Sequence, residues 1–328
     1  MKIENIKYNS FDEFLTDVIL PTGELKKKLD GFIFRGERTS KRKLLPGALR
    51  EEQVDKVFAM SKPIGEQWKW LTHQFYAEYS LLREFYKSAN HNGLKVPKVD
   101  SIDKNYVDVF PTELFEHTGY IKWISDDIAE LAALAQHYGV LTRLIDWSFE
   151  IYVALYFASI GAIKNRKKKI FDTTDTIVIW ALNDYYIQFI QPTVSRIPLK
   201  FVVPSYYNNP NLNAQKGILS YWEVDVPSMR QLAMDMDNFI ALTDRTPLDV
   251  LLQQYCESNS EKDNDLTLLY KFEFPVTDCF AAYGFVRDMN YTAARLFPGY
   301  SGIVQDMDEI SLFYEVKKKE EEYLSSRN

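Results

Sequence analysis

The stretch from Phe149 to Ile163 constrains the fold more than any other part of the chain, because it is apolar almost all round. A helix with apolar side chains on every face needs other elements to cover it on several sides. Its most apolar part, Ile151 to Ile163, is too short to cross a bilayer. The chain of 328 residues is 46% hydrophobic and 15% aromatic, which is ample for a packed core. The sequence therefore predicts a buried helix inside a soluble domain.

Charge and cysteine content narrow the functional classes. The formal net charge of −7 argues against broad electrostatic capture of nucleic acid, although it leaves room for a local basic patch. Two cysteines, Cys256 and Cys279, cannot form a disulfide framework or a cysteine-rich zinc site, and they fit a reducing compartment. The beginning of the sequence shows no charged-then-apolar signal. We therefore expect a cytoplasmic protein with no membrane partner.

Hydrophobic periodicity predicts an α+β fold with a mixed or antiparallel sheet core, a helical N-terminal portion and surrounding helices. Apolar runs rich in β-branched and aromatic residues predict the strands, and apolar residues at helical spacing predict the helices. The predicted strands are 32–34, ending at Arg35-Gly36, then 176–182, 199–203, 218–224 and 266–274. The predicted helices are 10–29, with an N-cap at Ser10 and a break at Pro21 and Gly23, then 64–88, 125–138, 149–163, 247–257 and 277–287.

The chain has no internal repeat and no low-complexity linker, so we expect one domain over residues 1–328. Residues 64–138 are predicted to be largely helical. The basic run KNRKKK at 164–169 is interpreted as a solvated loop, with nucleic-acid contact as the alternative. The Pro- and Asn-rich segment 204–217 is also predicted to be a loop, and residues 315–328 a charged, fraying helix.

One polar cluster, QHYGVLTRLIDWS at 136–148, contains candidates for chemistry. His137 lies at a predicted helix end, where the carbonyl dipole favours its cationic form, and Gly139 suits the C-cap. If the following run is extended, Arg143 and Asp146 lie on opposite faces, so pairing between them would need a bend. His137 can be a general base or a satisfied core histidine, and Trp147 a stacking platform or a core aromatic.

A second cluster, FIFRGERTSKRKLLPGALRE at 32–51, places an arginine at the end of a short apolar strand. Gly36 would let a ligand approach the backbone beside Arg35, which makes a plausible anion clamp. The nearby cations Arg38, Lys41, Arg42 and Lys43 would suit a phosphate-bearing ligand. The alternative is that Arg35 pairs with a core carboxylate while the other cations are solvated.

Several reaction classes lack their usual sequence marks. The histidines at 73, 91, 117 and 137 form no HExxH or other close metal-ligand spacing. The chain has no P-loop, no GxGxxG and no GxSxG elbow. We therefore expect no bound metal and no tightly bound cofactor.

Taken together, the two clusters resemble the FRG domain family, named for its Phe/Tyr-Arg-Gly motif. Phe34-Arg35-Gly36 with LLPGALRE resembles the opening of the family, and AQHYGVLTRLIDWSFEIYVALYFA resembles its most distinctive block. NPNLNAQKGILSYW and ARLFPGYSGI resemble two later blocks, so the resemblance runs from about residue 32 to 305. The sequence departs from the family pattern at Glu37, where Gln is usual, at Ile145, where Leu is usual, and at Ser148, where Thr is usual.

The resemblance implies an intracellular effector, because such proteins occur in bacterial and phage genomes, some in settings suggestive of phage defence. A weaker similarity to ADP-ribosyltransferases of the Arg-Ser-Glu type implies NAD as a substrate. That similarity matches Arg35-Gly36 on a first strand, Ser148 before a helix, and Gln215 on a third element. Arg35 would then hold the NAD phosphates or ribose, and Ser148 would brace the first strand.

The same similarity assigns further residues. It implies that His137, Tyr138 or Trp147 positions the nicotinamide. Because Gln215 is not a carboxylate, Asp146 or Glu223 would have to stabilise the ribosyl cation. The candidate catalytic residues are Arg35, His137, Asp146, Ser148 and Gln215, and the candidate ligand-binding residues are Arg35, Gly36, Tyr138, Arg143 and Trp147.

Two other classes of function stay open. In a non-catalytic binding module, Arg35, Arg143 and the aromatic residues would recognise a nucleotide or a nucleic-acid end without turning it over. In a structural sensor, the polar cluster would be a buried network that fixes the fold. An effector could also await a protein partner or trigger. Loss of Arg35 should lower stability first in a sensor and activity first in an enzyme.

Overall fold

The computed structural model of the chain describes residues 1–60, 74–107, 119–168, 174–190, 197–204, 209–228, 230, 244–259 and 266–325. Its strands in chain order are β1 (Lys2–Lys7), β2 (Phe32–Glu37), β3 (Tyr120–Trp123), β4 (Ile145–Ser148), β5 (Thr176–Asn183), β6 (Leu199–Val202), β7 (Gly217–Trp222), β8 (Val224–Pro227) and β9 (Thr267–Pro275). Within these ranges, seven strands form one sheet in the order β1-β9-β5-β2-β4-β7-β6. Strands β1 and β9 are parallel and the other neighbours antiparallel, so the sheet is mixed, while β3 and β8 form a separate antiparallel pair.

Helices surround this sheet. The α-helices are α1 (Phe11–Phe14), α2 (Val54–Met60), α3 (Gln74–His91), α4 (Asp100–Lys104), α5 (Asp126–His137), α6 (Ile151–Lys168), α7 (Pro210–Ala214), α8 (Leu248–Ser258), α9 (Cys279–Asp288), α10 (Ala293–Leu296) and α11 (Tyr300–Ser325). Short π or 3-10 turns lie at Leu15–Ile19, Lys26–Lys28, Gly47–Leu49, Glu51–Gln53, Tyr186–Ile190 and Val276–Asp278. The predicted α+β class is confirmed. Among the described residues, none of the helices combines the length and apolar character that a membrane span requires.

Helix α6 is the buried helix that its apolar sequence predicts. Leu155, Ala158 and Ile163 are fully buried in a core that also contains residues of β2, β5, β9 and α9. The helix packs on β2 so closely that a Cβ at Gly36 would lie 1.9 Å from the backbone oxygen of Ala154. The glycine of the Phe-Arg-Gly motif is therefore needed for helix–sheet packing.

The basic run KNRKKK was wrongly predicted as a loop, because residues 164–168 are the last turns of α6. Its cations bind acidic residues of α11. Lys164 Nζ lies 2.9 Å from Glu309 Oε1, and Lys167 Nζ lies 2.8 Å from Glu315 Oε2. Arg166 also pairs with Glu320. Cations are favourable at the C-terminal end of a helix, and here they attach the C-terminal helix to α6.

Other predicted elements differ in their boundaries. Within the helix predicted for 10–29, the α-helical part ends at Phe14 and a π turn follows. Ser10 is the N-cap, as predicted. The strand predicted for 218–224 divides at Glu223 into β7 and β8. The predicted loop 204–217 contains α7, while residues 205–208 lie outside the described part of the chain. The first part of the helix predicted for 64–88 also lies outside it, and β1 and β3 were not predicted.

Candidate functional site

A cavity of about 480 Å³ lies beside β2, β4 and α6 and is closed by residues next to β7 and α10. It brings together all the candidate catalytic residues. The lining residues are Phe34, Arg35, Gly36, Glu37, Arg38, Arg42, Gln136, His137, Asp146, Trp147, Ser148, Val153, Ala154, Phe157, Gly161, Asn211, Gln215 and Phe297. We refer to this cavity as the central pocket. Residues far apart in sequence meet there because β2, β4 and β7 are neighbours in the sheet.

Arg35 is held by two protein groups at the edge of the central pocket. It lies two residues before Glu37 on β2, so both side chains project from the same face of the strand. Arg35 Nε and Nη2 donate to Glu37 Oε1 at 3.0 and 2.8 Å, and Nη1 donates to the backbone oxygen of Asp146 at 2.9 Å. Burial lowers the pKa of Arg35, but the charges of Glu37 and Asp146 outweigh it and raise the pKa. The guanidinium therefore stays charged and is paired with a buried carboxylate.

Asp146 is oriented by a chain of hydrogen bonds from the loop before β4. The backbone N–H of Leu144 donates to Thr142 Oγ1 at 3.1 Å, and the Thr142 hydroxyl donates to Gln136 Oε1. Gln136 Nε2 then donates to Asp146 Oδ1 at 2.7 Å. The Asp146 side chain is 66% exposed and its Oδ2 lies 3.8 Å from Arg35 Nη1. The site thus contains a solvent-facing carboxylate with a fixed orientation.

His137 is half-buried at the end of α5. Burial lowers its pKa, and the nearby charge of Asp146 offsets this effect in part. The expectation of a favoured cation was wrong, because the lost hydration of the ring outweighs the attraction of the Asp146 carboxylate and lowers the pKa. The imidazole is neutral at pH 7 and can accept a proton. Tyr138 packs edge-on against it, with ring centroids 5.2 Å apart, but is 66% exposed and does not line the central pocket.

Ser148 and Gln215 brace the walls of the central pocket. Ser148 Oγ donates to the backbone oxygen of Gln215 at 2.7 Å and accepts from the backbone N–H of Glu150 at 3.0 Å. Gln215 Nε2 donates to the backbone oxygen of Leu296 at 3.1 Å. These bonds join β4, the start of α6, the turn before β7 and the end of α10. Both side chains are therefore positioned at the pocket by backbone contacts.

Three other candidates point away from the central pocket. Trp147 borders it, but its indole is buried in the core and Nε1 donates to Ser220 Oγ at 2.8 Å. Arg143 is also buried, and its Nε lies 2.5 Å from Glu78 Oε2. Glu223 lies 2.5 Å from Lys200 and does not line the pocket. Alternation along β4 explains the first case, because Trp147 faces opposite to Asp146 and Ser148.

Several pocket residues were not chosen from the sequence as site residues. Glu37 is 4% exposed and also lies 3.4 Å from Arg42 Nε, so it is shared by two arginines. The two-residue period of β2 could have placed it beside Arg35. At another part of the wall, Phe157 and Phe297 pack edge-to-face with centroids 6.1 Å apart. Phe157 is 38% exposed and so offers an aromatic surface to a ligand.

The two cysteines take no part in this site. Both Cys256 and Cys279 are buried. Burial raises the pKa of Cys279 to about 12 and also raises that of Cys256. A thiol must lose its proton to act as a nucleophile, so neither side chain is suited to that role.

Comparison with known protein families agrees with the motifs that surround the central pocket. The FRG domain model matches residues 30–167, which include Phe34-Arg35-Gly36 and the block at 136–148. Comparison with curated proteins and with solved structures gave no match. The matched region supplies Arg35, His137, Asp146 and Ser148 to the pocket. Residues 30–167 are therefore an FRG domain.

Proposed function

We propose that the central pocket binds NAD or a related nucleotide and that the protein is an ADP-ribosyltransferase-like enzyme. The observation that carries this proposal is that Arg35, Ser148 and Gln215 line one cavity beside three adjacent strands. These are the three residues that the similarity to ADP-ribosyltransferases selects, in the same chain order. Their convergence could not be inferred from motif order alone.

The chemistry of the lining supports a nucleotide ligand. Arg38 and Arg42 line the cavity beside Arg35 and can provide charge-assisted hydrogen bonds to phosphate. Phe157 and Phe297 offer aromatic surface on which a base or nicotinamide could pack. The cavity of about 480 Å³ has the size of a typical small-molecule site.

The proposed reaction breaks the bond between ribose C1′ and the nicotinamide nitrogen. The electron pair of that bond leaves with the nicotinamide, and positive charge develops on the ribose. Asp146 would stabilise this charge, since its carboxylate is exposed and oriented by Gln136. An acceptor hydroxyl or water then adds to C1′ and gives its proton to neutral His137. Glu37 is already paired with two arginines, so we assign it no reacting role.

Incubation of the purified full-length protein with NAD, followed by mass spectrometry, tests this proposal. We expect nicotinamide release, reduced at least about 100-fold in Asp146→Asn, because one preorganised charge contributes about that much. Asp308→Asn is the matched control, since Asp308 is exposed and lies outside the central pocket. No release by the wild type, or equal release by Asp146→Asn, would contradict the proposed reaction.

A non-catalytic nucleotide- or nucleic-acid-binding module is the second candidate. The observation that favours it is that Ser148 Oγ and Gln215 Nε2 donate to backbone carbonyls, which is a structural use of these groups. This function predicts that calorimetry detects binding of NAD or an oligonucleotide while mass spectrometry finds every ligand unchanged. Release of nicotinamide would contradict it.

We further propose that the protein is a bacterial effector with a role in phage defence. The match of residues 30–167 to the FRG domain supports this proposal, because the resemblance to that family implies an intracellular effector. Bacteria that express the wild type should restrict phage growth and lose NAD during infection, and those that express Asp146→Asn should not. Equal phage yields with both proteins would contradict an effector role that depends on the pocket.

A further inference from the structure

All three guanidinium nitrogens of Arg35 already donate hydrogen bonds within the protein. Its Nε and Nη2 bind Glu37, and its Nη1 binds the backbone oxygen of Asp146. The Arg35 side chain is 17% exposed. A ligand phosphate would have to compete with a buried carboxylate for this guanidinium, and separating such a pair is costly. Arg35 is therefore poorly placed to be the main anion contact.

Arg38 is in the opposite situation. It lines the same cavity, is exposed, and within the described ranges has neither a hydrogen bond nor an ion pair. Its Cβ would lie 3.1 Å from a Cβ on Gly161, so its stem rests on α6 where the helix has no side chain. The backbone thus fixes where this guanidinium begins, while its five N–H donors remain free for a ligand.

Arg42 is the second available cation. Its side chain is 33% exposed, and its Nε lies 3.4 Å from Glu37 Oε2. Glu37 is shared with Arg35, so one carboxylate faces two guanidinium groups. Burial lowers the pKa of Arg42, and the charges of Arg35 and Arg38 lower it further against the opposing effect of Glu37. The pocket lining carries three arginines against Glu37 and Asp146, which leaves an excess of positive charge.

We propose that Arg38 and Arg42, rather than Arg35, form a phosphate-binding subsite that takes the diphosphate group of a nucleotide. This inference rests on the proposed nucleotide-directed function of the central pocket. Phe157 lies four residues before Gly161, so both positions share one face of α6, about 6 Å apart along the helix. A single nucleotide can therefore place its phosphates at Arg38 and a ring against Phe157.

Calorimetric titration of the full-length protein with inorganic pyrophosphate tests the subsite without any need for turnover. We expect Arg38→Gln and Arg42→Gln each to weaken binding about tenfold, because each removes a charge-assisted contact. Lys43→Gln is the matched control, since Lys43 is an exposed neighbour that does not line the pocket. Its affinity should stay within about twofold of the wild type.

A second titration with ADP distinguishes a nucleotide from free phosphate. ADP should bind more tightly than pyrophosphate, and Phe157→Leu should remove most of this difference. Absence of pyrophosphate binding, or equal weakening by Lys43→Gln, would overturn the subsite. ADP that binds no better than pyrophosphate would overturn the nucleotide assignment. Because none of these readouts needs nicotinamide release, a failure of the proposed enzyme activity is seen separately.

Discussion

At the scale of single residues, Arg143 shows how a motif residue can serve the fold. Its Nε and Trp123 Nε1 both donate to Glu78 Oε2, at 2.5 and 2.9 Å, in the core around α3 and α5. We expect Arg143→Met to lower the free energy of unfolding by about 3–5 kcal/mol, because it leaves Glu78 charged and buried. Urea unfolding measures this loss.

The double variant Arg143→Met/Glu78→Leu is the control for that experiment. It should recover much of the lost stability, because replacing both members of a buried pair is often near neutral. Folded Arg143→Met should bind pyrophosphate like the wild type, since Arg143 lies outside the central pocket. Weaker binding by a folded variant would instead support the ligand-binding role inferred from the sequence.

His137 gives a prediction about pH at the same scale. Its lowered pKa means that the folded state binds this proton less readily than the unfolded state does. The resulting stability is present above the ordinary histidine value of about 6.5 and is lost as pH falls through the lowered pKa. The free energy of unfolding of the wild type, relative to that of His137→Gln, should therefore be smaller at about pH 5 than at about pH 7.5. Urea unfolding at both pH values checks this, and a shift in the opposite direction would contradict it.

At the scale of elements, the contact between α6 and β2 should tolerate no side chain at Gly36. In Gly36→Ala the new Cβ would meet the backbone oxygen of Ala154, and neither backbone can move alone. We expect a loss of about 3 kcal/mol or more in thermal unfolding. Gly284→Ala is the control inside another helix, α9, because a Cβ at Gly284 would have no atom within 4 Å. It should be at least as stable as the wild type, because alanine is the better helix former. Equal melting of both variants would contradict the close packing.

Local sequence patterns predicted the buried elements, but not the contacts between residues far apart in the chain. The all-round apolar pattern predicted α6, and runs of β-branched and aromatic residues predicted β5 and β9, because both patterns reflect local burial. The basic end of α6 was misjudged because its acidic partners lie about 150 residues away, at Glu309 and Glu315. Likewise, motif residues predicted Arg35 and Asp146 at the site, but the partners of Arg143 and Trp147 depend on tertiary contacts. Alternation along β2 could have added Glu37, which we did not select.

At the scale of the whole molecule, the FRG domain match covers only part of the seven-stranded sheet and of the helices packed on it. Of the seven described strands of the sheet, residues 30–167 contain β2 and β4. Strand β2 pairs with β5 from Phe32–Asn183 to Glu37–Val178, and β5 lies outside the match. Helix α6 is covered by α9 and α11, where Glu309 accepts hydrogen bonds from Tyr156 on α6 and Tyr283 on α9. The central pocket also takes Gln215 and Phe297 from outside the match.

We therefore expect residues 30–167, expressed alone, to form no cooperative unit. The fragment would expose the edge of β2 and most of an all-round apolar helix. The apolar burial that remains could not offset the entropy lost when its chain is ordered. Near-ultraviolet circular dichroism in urea measures this difference. The full-length protein should unfold in a sigmoidal transition, whereas the signal of the fragment should change gradually. The fragment should also bind no pyrophosphate. A sigmoidal transition in the fragment would show that the FRG domain contains its own core, and that the other strands serve mainly to complete the pocket.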